Sequence, residues 1–154
     1  MSTDSQATLR QPLSEQVAAQ VRHSFIRQGA LMAWDAQITR LAMGECEIAL
    51  PMCAAVTQQH GYFHGGVIAT AADAAGGYAA NTLLMPSHEV LTAEYKINLV
   101  APGDGDRLIA RGSVRKAGRT LVVASVDVFV IKSDGVEKLC AIMQQTLFAI
   151  ACKA

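Results

Sequence analysis

The sequence lacks an excess of either charge, since its 13 Lys and Arg residues balance 13 Asp and Glu residues among 154. Proteins that bind nucleic acid through its phosphates present a basic surface, so this balance argues against DNA or RNA as a partner. Charged residues make up only 17% of the chain, whereas hydrophobic residues make up 51%. A subunit this apolar is expected to bury part of its surface against another copy of itself.

Features typical of secreted, membrane and metal-binding proteins are also missing. The four cysteines form no C-x-x-C pair and no zinc-binding spacing, and we interpret them as small buried residues of a reduced, cytoplasmic protein. No apolar segment has the length of a membrane span, and the start of the chain lacks the basic and apolar regions of a signal peptide. Residues 1–12 are therefore predicted to be a flexible tail. Because repeats and linkers are absent, residues 13–154 are predicted to form a single domain.

Local sequence patterns predict the elements of this domain. Ser14 is a suitable N-cap for a helix that runs to about Gln28 and ends at Gly29. A strand hairpin that turns at Gly44 follows, and after an irregular stretch comes a long helix over residues 65–84. Turn signals then separate four strands rich in β-branched residues: residues 89–100, 106–116, 119–132 and 138–151. This order predicts an α+β fold with a six-stranded, mainly antiparallel sheet.

The long helix is apolar almost all round, which predicts burial on most of its sides. Its side chains are also unusually small, and it contains the adjacent glycines Gly76 and Gly77. Each glycine costs about 1 kcal/mol of helix propensity relative to alanine. That cost is reasonable only if another part of the protein packs very closely, so we predict a curved sheet wrapped around this helix.

A single carboxylate, Asp73, lies in this apolar helix at the end of the segment HGYFHGGVIATAAD. Burying a lone carboxylate is unfavourable unless it is paired, hydrogen-bonded or protonated. A purely structural Asp73 would bond to Thr70, Asn81 or a neighbouring chain. Nine helical residues advance about 13.5 Å and turn about 900°, so Asp73 faces away from His64. We therefore predict that Asp73 cannot reach the Gly65 amide of its own helix and that its partner lies in another chain.

Three segments together resemble a known family. They are QQHGYFHGG with an acid nine residues after its second histidine, LTAEYKINLVAPGDGD (91–106) and GRTLVVASVDV (118–128). Over roughly residues 34–150 the chain resembles the hotdog-fold acyl-CoA thioesterases of the phenylacetate-degradation (PaaI-like) type. The resemblance implies a hotdog fold with an extra N-terminal helix, and hydrolysis of acyl-CoA to free acid and coenzyme A. It also implies a homodimer or homotetramer (a dimer of dimers) with active sites at the subunit interface, needing no metal or organic cofactor.

The resemblance also implies roles for individual residues. Asp73 matches the catalytic acid, as general base or nucleophile, and the amide of Gly65 matches the group that polarises the thioester carbonyl. His64 and Gln58 match positions that hold the acyl carbonyl and the attacking water. Thr92 matches a Ser or Thr that assists the water in one branch of the family.

The start of the long helix suits this chemistry. Gly65 and Gly66 stand where N–H groups lack intrahelical partners and share the positive end of the helix dipole, so Gly66 is also predicted to contact the substrate. Losing one donor to an oxyanion typically costs about 3 kcal/mol of barrier. One position departs from the family pattern, because some branches carry a hydroxyl four residues after the acid, where this chain has Gly77.

Two further features have competing interpretations. His60 and His64 are four residues apart, a spacing that can bind zinc, but the glycines around them argue against one helix carrying both, and no third ligand stands nearby. Gln58 is either a turn residue or the functional residue that the resemblance implies. The segment VRKAGRT is either an ordinary hairpin tip or a binding site for the phosphates of coenzyme A, with these contacts: Arg115, Lys116, Arg119 and Thr120.

Two other functions compete with thioester hydrolysis. A non-catalytic acyl-CoA-binding sensor is one, although the presence of Asp73 together with Gly65 argues against it, because a binder would not need the acid. A hotdog dehydratase or hydratase is the other, but those enzymes pair a catalytic histidine with an acid in a different arrangement. The sequence leaves open the acyl group, the choice between coenzyme A and acyl carrier protein, and the choice between base and nucleophile for Asp73.

Overall fold

The computed structural model describes residues 12–152, so the predicted tail lies outside the described residues apart from Pro12. Within these residues the chain forms three helices and six strands, with a 3₁₀ turn at Ala54–Val56. The helices are α1 (Glu15–Phe25), α2 (Gly29–Ala33) and α3 (Gly65–Leu84). The strands are β1 (Gln37–Ala42), β2 (Glu45–Pro51), β3 (His88–Leu99), β4 (Arg107–Ala117), β5 (Leu121–Ile131) and β6 (Glu137–Ala151). Among these residues no helix has the length and apolar character needed to cross a membrane.

The six strands form one antiparallel sheet in the order β1-β2-β4-β5-β6-β3. Helix α3 packs against all six strands, and most of its side chains belong to the buried core. The predicted α+β architecture, with a six-stranded sheet around a long central helix and an extra helix at the N-terminal side, is confirmed. In this strand order β3 forms one edge of the sheet, and β3 is the strand that contacts the predicted acid, Asp73.

The N-terminal helix is shorter than predicted. Ser14 caps α1 as expected, accepting a hydrogen bond from the Val17 amide at 3.3 Å, but the helix ends at Phe25. Gly29 begins the second helix α2 rather than ending the first, because Gln28 is extended and serves as its N-cap. The break places two apolar side chains in the core, Phe25 against the Tyr78 ring and the fully buried Leu31.

Close packing on α3 occurs at one of its two adjacent glycines. A Cβ atom on Gly76 would overlap the amide at the end of the Gln145 side chain and lie 3.2 Å from Val126, so a larger residue there has to displace that amide. On strand β4, which packs against α3, a Cβ on Gly112 would overlap the α3 backbone at Ala75. The prediction is wrong for Gly77 within this chain, because its nearest neighbour would be Val90 at 3.9 Å. Gly77 faces an open groove instead.

The interpretation of all four cysteines as buried residues is also wrong. Cys46 and Cys140 are buried, Cys152 is half-buried, and Cys53 is exposed. Burial raises the pKa of Cys46 to about 12 and that of Cys140 to about 11, so both thiols stay protonated at neutral pH. Cys53 is therefore an accessible thiol in any assay that detects free coenzyme A through its sulfur.

Candidate active site

Asp73 is half-buried on α3 and accepts hydrogen bonds from two other elements of its own chain. Its Oδ1 accepts from the Thr92 hydroxyl on β3 at 2.7 Å and from Gln145 Nε2 on β6 at 3.3 Å. The carboxylate therefore has hydrogen-bonding partners within its own chain, whereas the predicted meeting of Asp73 with the Gly65 amide of another chain stays a prediction. The two structural alternatives fail, because Thr70 donates to the Gly66 carbonyl and Asn81 Oδ1 accepts from Val90 N. Thr92, a predicted site residue, lies in contact with the acid.

An open groove of about 390 Å³ runs along α3 beside the carboxylate. Gly77 forms part of it, and β3 supplies the opposite side. The N-terminal part of the chain adds a polar wall. Ser24 Oγ on α1 lies 3.3 Å from the Tyr78 hydroxyl, and Gln28 Nε2, from the turn between α1 and α2, donates to the same hydroxyl at 2.9 Å. We call this space, lined by α1, α3 and β3, the acid groove; its remaining lining residues include Ala74, Asn81, Glu89, Val90 and Leu91.

The start of α3 is capped by the histidine of the glycine motif. His64 Nδ1 accepts a hydrogen bond from Gly66 N at 2.9 Å, and the His64 carbonyl accepts from Val67 and Ile68. In this arrangement Nδ1 is the acceptor, which places a ring proton on Nε2. The Gly66 amide is thus already bonded, whereas the Gly65 amide has no acceptor among residues 12–152. Of the two predicted donors, only Gly65 offers a free N–H group.

A second groove, of about 510 Å³, opens at this end of the helix. We call it the amide groove, because Gly65, which carries the free amide, lines it. Its other lining residues include Gln58, Tyr62, the last residue of β3 and the four residues after it (99–103). The backbone of Gln58 closes a turn by bonding to Gly61 and Tyr62, and its side-chain oxygen accepts from His60 N. His60 itself is exposed, and within the described part of the chain no three His, Cys, Asp or Glu residues lie close enough together to hold a metal ion.

The two grooves lie on separate surfaces of one chain. Asp73 and Thr92 line the acid groove, Gly65 and Gln58 line the amide groove, and no residue lines both. Eight helical residues separate Gly65 from Asp73, which corresponds to about 12 Å along the helix axis. One subunit therefore presents the acid and the free amide too far apart to act on the same thioester.

The β4–β5 hairpin carries the predicted phosphate contacts, and its cations differ in their engagement. Arg115 Nε donates to Ser125 Oγ at 2.6 Å, next to a bulge in the strand pairing. Lys116 and Arg119 are exposed and make no ion pair or side-chain hydrogen bond with any residue from 12 to 152. Thr120 is exposed too, and its carbonyl accepts from Ala149 N. The hairpin tip therefore has two cations available for an anionic ligand.

Strand β3 is a long and apolar sheet edge. It pairs with β6 on one side, and within the described chain no strand covers its other side. Three large apolar residues on it are exposed: Leu91 at 59%, Tyr95 at 45% and Leu99 at 55%. An edge with unpaired backbone groups and exposed apolar side chains is a surface suited to pairing with another chain.

Sequence reasoning missed Gln145 and the polar wall of the acid groove. Gln145 is fully buried and contacts Asp73 from 72 positions away in the chain. The pair Gln144 and Gln145 in an apolar strand was a usable signal, because alternate strand residues face opposite sides and one of the two had to point into the core. Tyr78 and Gln28 carried no comparable signal, because they are brought together by the break between α1 and α2.

A family model described as "Thioesterase superfamily" matches residues 60–136, half of the chain. Over 93 residues the chain is 31% identical to "Putative esterase" of Saccharolobus solfataricus, covering 60% of this chain and 66% of that relative. The chain thus spans slightly less than two thirds of the length of this relative.

Solved structures resemble the whole domain. A thioesterase family protein from Silicibacter pomeroyi is 40% identical, with a TM-score of 0.85 over 88% of this chain and 99% of that one. The PaaI protein of Escherichia coli, from the phenylacetic acid degradation operon, superposes with a TM-score of 0.77 over 90% of this chain and 96% of its own. At 22% identity, the likeness to PaaI is one of fold.

Proposed function

The chain belongs to the thioesterase superfamily and has its hotdog fold, and from this premise we propose that it hydrolyses acyl-CoA thioesters to free acid and coenzyme A. The observation that carries the proposal is the pair of half-sites on α3. Asp73 with its Thr92 donor lines one groove, and the free amide of Gly65 lines another. These are the two groups that thioester hydrolysis needs.

The proposed active site is completed by a second copy of the chain. Two α3 helices that run antiparallel across a two-fold axis bring the acid groove of one subunit to the amide groove of the other. The exposed apolar edge of β3 supports such a dimer, because it flanks both grooves: Leu91 lines the acid groove and Leu99 the amide groove. A dimer formed at this edge contains two identical sites, and pairing of dimers gives the tetramer.

In this site each group has a chemical task. Asp73 removes a proton from water, or attacks the thioester itself, and Thr92 holds the Oδ1 atom of its carboxylate. The N–H group of Gly65 donates to the carbonyl oxygen as it becomes an oxyanion, and the helix dipole adds to this stabilisation. Gln58 and His64 border the amide, and Lys116 and Arg119 bind phosphates of coenzyme A. When Asp73 acts as the base, the C–S bond breaks and the proton taken from water passes from Asp73 to the sulfur, so coenzyme A leaves as the thiol. When Asp73 attacks directly, coenzyme A leaves first and water then hydrolyses the mixed anhydride to the free acid.

A sensor that binds acyl-CoA without hydrolysing it is the second candidate. It is less well supported, because an acyl group that covers the half-buried Asp73 carboxylate would remove water from a charge, which is unfavourable and brings no benefit to binding. A dehydratase finds no support in the site, since the histidine of the glycine motif is occupied as a helix cap.

The test is hydrolysis of a panel of aryl-acetyl, short-chain and medium-chain acyl-CoAs, with the matching acyl carrier proteins in parallel. The loss of thioester absorbance is the suitable readout, because exposed Cys53 would react with thiol reagents. We expect Asp73→Asn to lower kcat by about 10²- to 10⁴-fold, the usual contribution of a general acid or base. Binding of a non-hydrolysable acyl-CoA analogue and the melting temperature should stay close to those of the wild type.

Wild-type protein that binds acyl-CoA but hydrolyses no member of the panel would establish the sensor instead. A wild-type kcat in the Asp73→Asn variant would show that the carboxylate has a structural role rather than a catalytic one.

A further inference from the structure

A buried glutamine lies directly beneath the acid. Gln145 is fully buried in the middle of β6, and its Nε2 donates to the main-chain oxygen of Asp73 at 3.2 Å and to Oδ1 at 3.3 Å. Both Asp73 atoms are acceptors only, so the nitrogen of the amide group has to face them. The amide thereby links the carboxylate to the backbone of the same residue.

The other end of this amide is in an unfavourable environment. Gln145 Oε1 is buried and has no donor among the described residues, and burial of an unpaired oxygen destabilises a fold. The oxygen points at Gly76, where any side chain would overlap it. Glycine inside a helix is itself unfavourable. An apolar residue at position 145 with alanine at position 76 would avoid both costs, so packing alone does not account for this pair.

We propose that Gln145 is a positioning residue for the reaction, which holds the Asp73 carboxylate in one rotamer, and that Gly76 provides the space for its amide. This inference rests on the proposed function, in which Asp73 performs the chemistry. Gln145 from β6 and Thr92 from β3 donate to the same oxygen, Oδ1. The second oxygen, Oδ2, accepts no hydrogen bond from residues 12–152, which leaves it available to the water or the thioester of the proposed reaction.

The first test is Gln145→Met, which keeps the length of the side chain and removes the donor. Because a misplaced reacting group costs up to about 100-fold in rate, we expect kcat to fall by about 10- to 100-fold, with KM within about twofold of the wild type. The control is Val128→Ala, a fully buried change on β5 about 13 Å along the sheet from the contact of β5 with Gln145. It should lower the melting temperature and leave kcat within about twofold.

The second test examines the space at Gly76. Gly76→Ala pushes the Gln145 amide away, so it should lower kcat by a factor similar to that of Gln145→Met. Gln145→Ala removes the clash, and the double variant Gly76→Ala/Gln145→Ala should then be no slower than Gln145→Ala alone. If the two losses multiply instead, Gly76 and Gln145 act independently and this part of the proposal is wrong.

The third test does not depend on activity. In crystal structures of the wild type and Gln145→Met, we expect the Asp73 side chain to change rotamer and its Oδ1 to move beyond 3.5 Å from Thr92 Oγ1. A carboxylate that keeps its position, or a kcat that stays at the wild-type value, overturns the positioning role. If wild-type protein hydrolyses no thioester, the proposed function fails while the two structures still decide whether Gln145 positions Asp73.

Discussion

Two threonine hydroxyls near the edge of the sheet each donate to a carboxylate at 2.7 Å. Thr92 bonds to Asp73, and Thr146 on the neighbouring strand bonds to Glu94. They form a matched pair for substitution, because only the first contacts the proposed catalytic group. A hydrogen bond to a charged group contributes roughly 1.5–3 kcal/mol, so we expect Thr92→Val to lower kcat by about 10- to 100-fold with little change in KM.

Thr146→Val, which deletes the same kind of bond, should leave kcat within about twofold of the wild type. Steady-state kinetics of both variants on one acyl-CoA provide the measurement. A raised KM at constant kcat for Thr92→Val would mean that Thr92 positions the substrate rather than the acid.

Among individual residues, the sequence predicted Asp73 and Thr92, which follow from motif and spacing. It missed Gln145, whose contact with Asp73 depends on the topology of the fold. Asp73 and Thr92 came from the resemblance, and the structure brings them into contact across 19 positions. Gln145 could not be assigned to Asp73, because the pairing of β6 with β3 and the closeness of α3 are tertiary properties. The role of His64 as a helix cap was equally hidden, since it depends on the rotamer of the ring.

Among the elements, the β4–β5 hairpin has the free cations that a phosphate ligand needs. Replacing both Lys116 and Arg119 by glutamine should raise KM for acyl-CoA several-fold and reduce its dependence on salt, because exposed phosphate contacts are screened by ions. The value of kcat should change little, since neither residue lines the acid groove or the amide groove. Kinetics between low and high ionic strength provide the measurement.

The matched control removes two positive charges at the opposite end of the same sheet. Lys132 lies at the end of β5 and Lys138 at the start of β6, and both are exposed. Lys132→Gln/Lys138→Gln lowers the net charge equally, so an equal rise in KM would indicate a general electrostatic effect. An unchanged KM in the hairpin variant at low salt would make this hairpin an ordinary charged turn.

Element boundaries were predictable where turn residues mark them. Helix α3 begins and ends at the predicted residues, and the ends of β3 to β6 lie within two residues of the prediction. The break between α1 and α2 was not predictable, because Gly29 is a reasonable end for one helix and is the start of another. Gly77 misled for a related reason, since a small residue indicates close approach without showing whether the neighbour belongs to the same chain.

For the whole molecule, the proposed two-chain site predicts recovery of activity in mixed dimers. Asp73→Asn breaks the acid, and Gly65→Pro removes the amide hydrogen. Proline suits the first position of a helix, and His64, at ψ 138°, has the extended backbone that a residue before proline requires. After random reassembly of equal amounts, half of the dimers contain both variants and each has one intact site, so activity should return to about a quarter of wild type.

Gly65→Ala is the control for this experiment. It introduces the same carbon, which contacts the Leu99 side chain at 3.0 Å, and it keeps the N–H group. We therefore expect Gly65→Ala to retain most of its activity where Gly65→Pro loses it. Mixtures that exchange subunits and remain inactive would show that acid and amide act within one chain, which contradicts the two-chain site.

The polar wall that α1 and the turn after it contribute to the acid groove affects how such a chain can diverge. Ser24 and Gln28 meet the groove through the Tyr78 hydroxyl, and both precede residues 60–136, the segment that the family model matches. Changes in α1 can accumulate without altering Asp73 or Gly65. For an enzyme of the proposed kind, the polar wall of the groove and the residues that carry out the hydrolysis then lie in different segments of the chain. Substitutions at Ser24 and Gln28 are therefore expected to change the lining of the acid groove and to leave Asp73 and Gly65 in place.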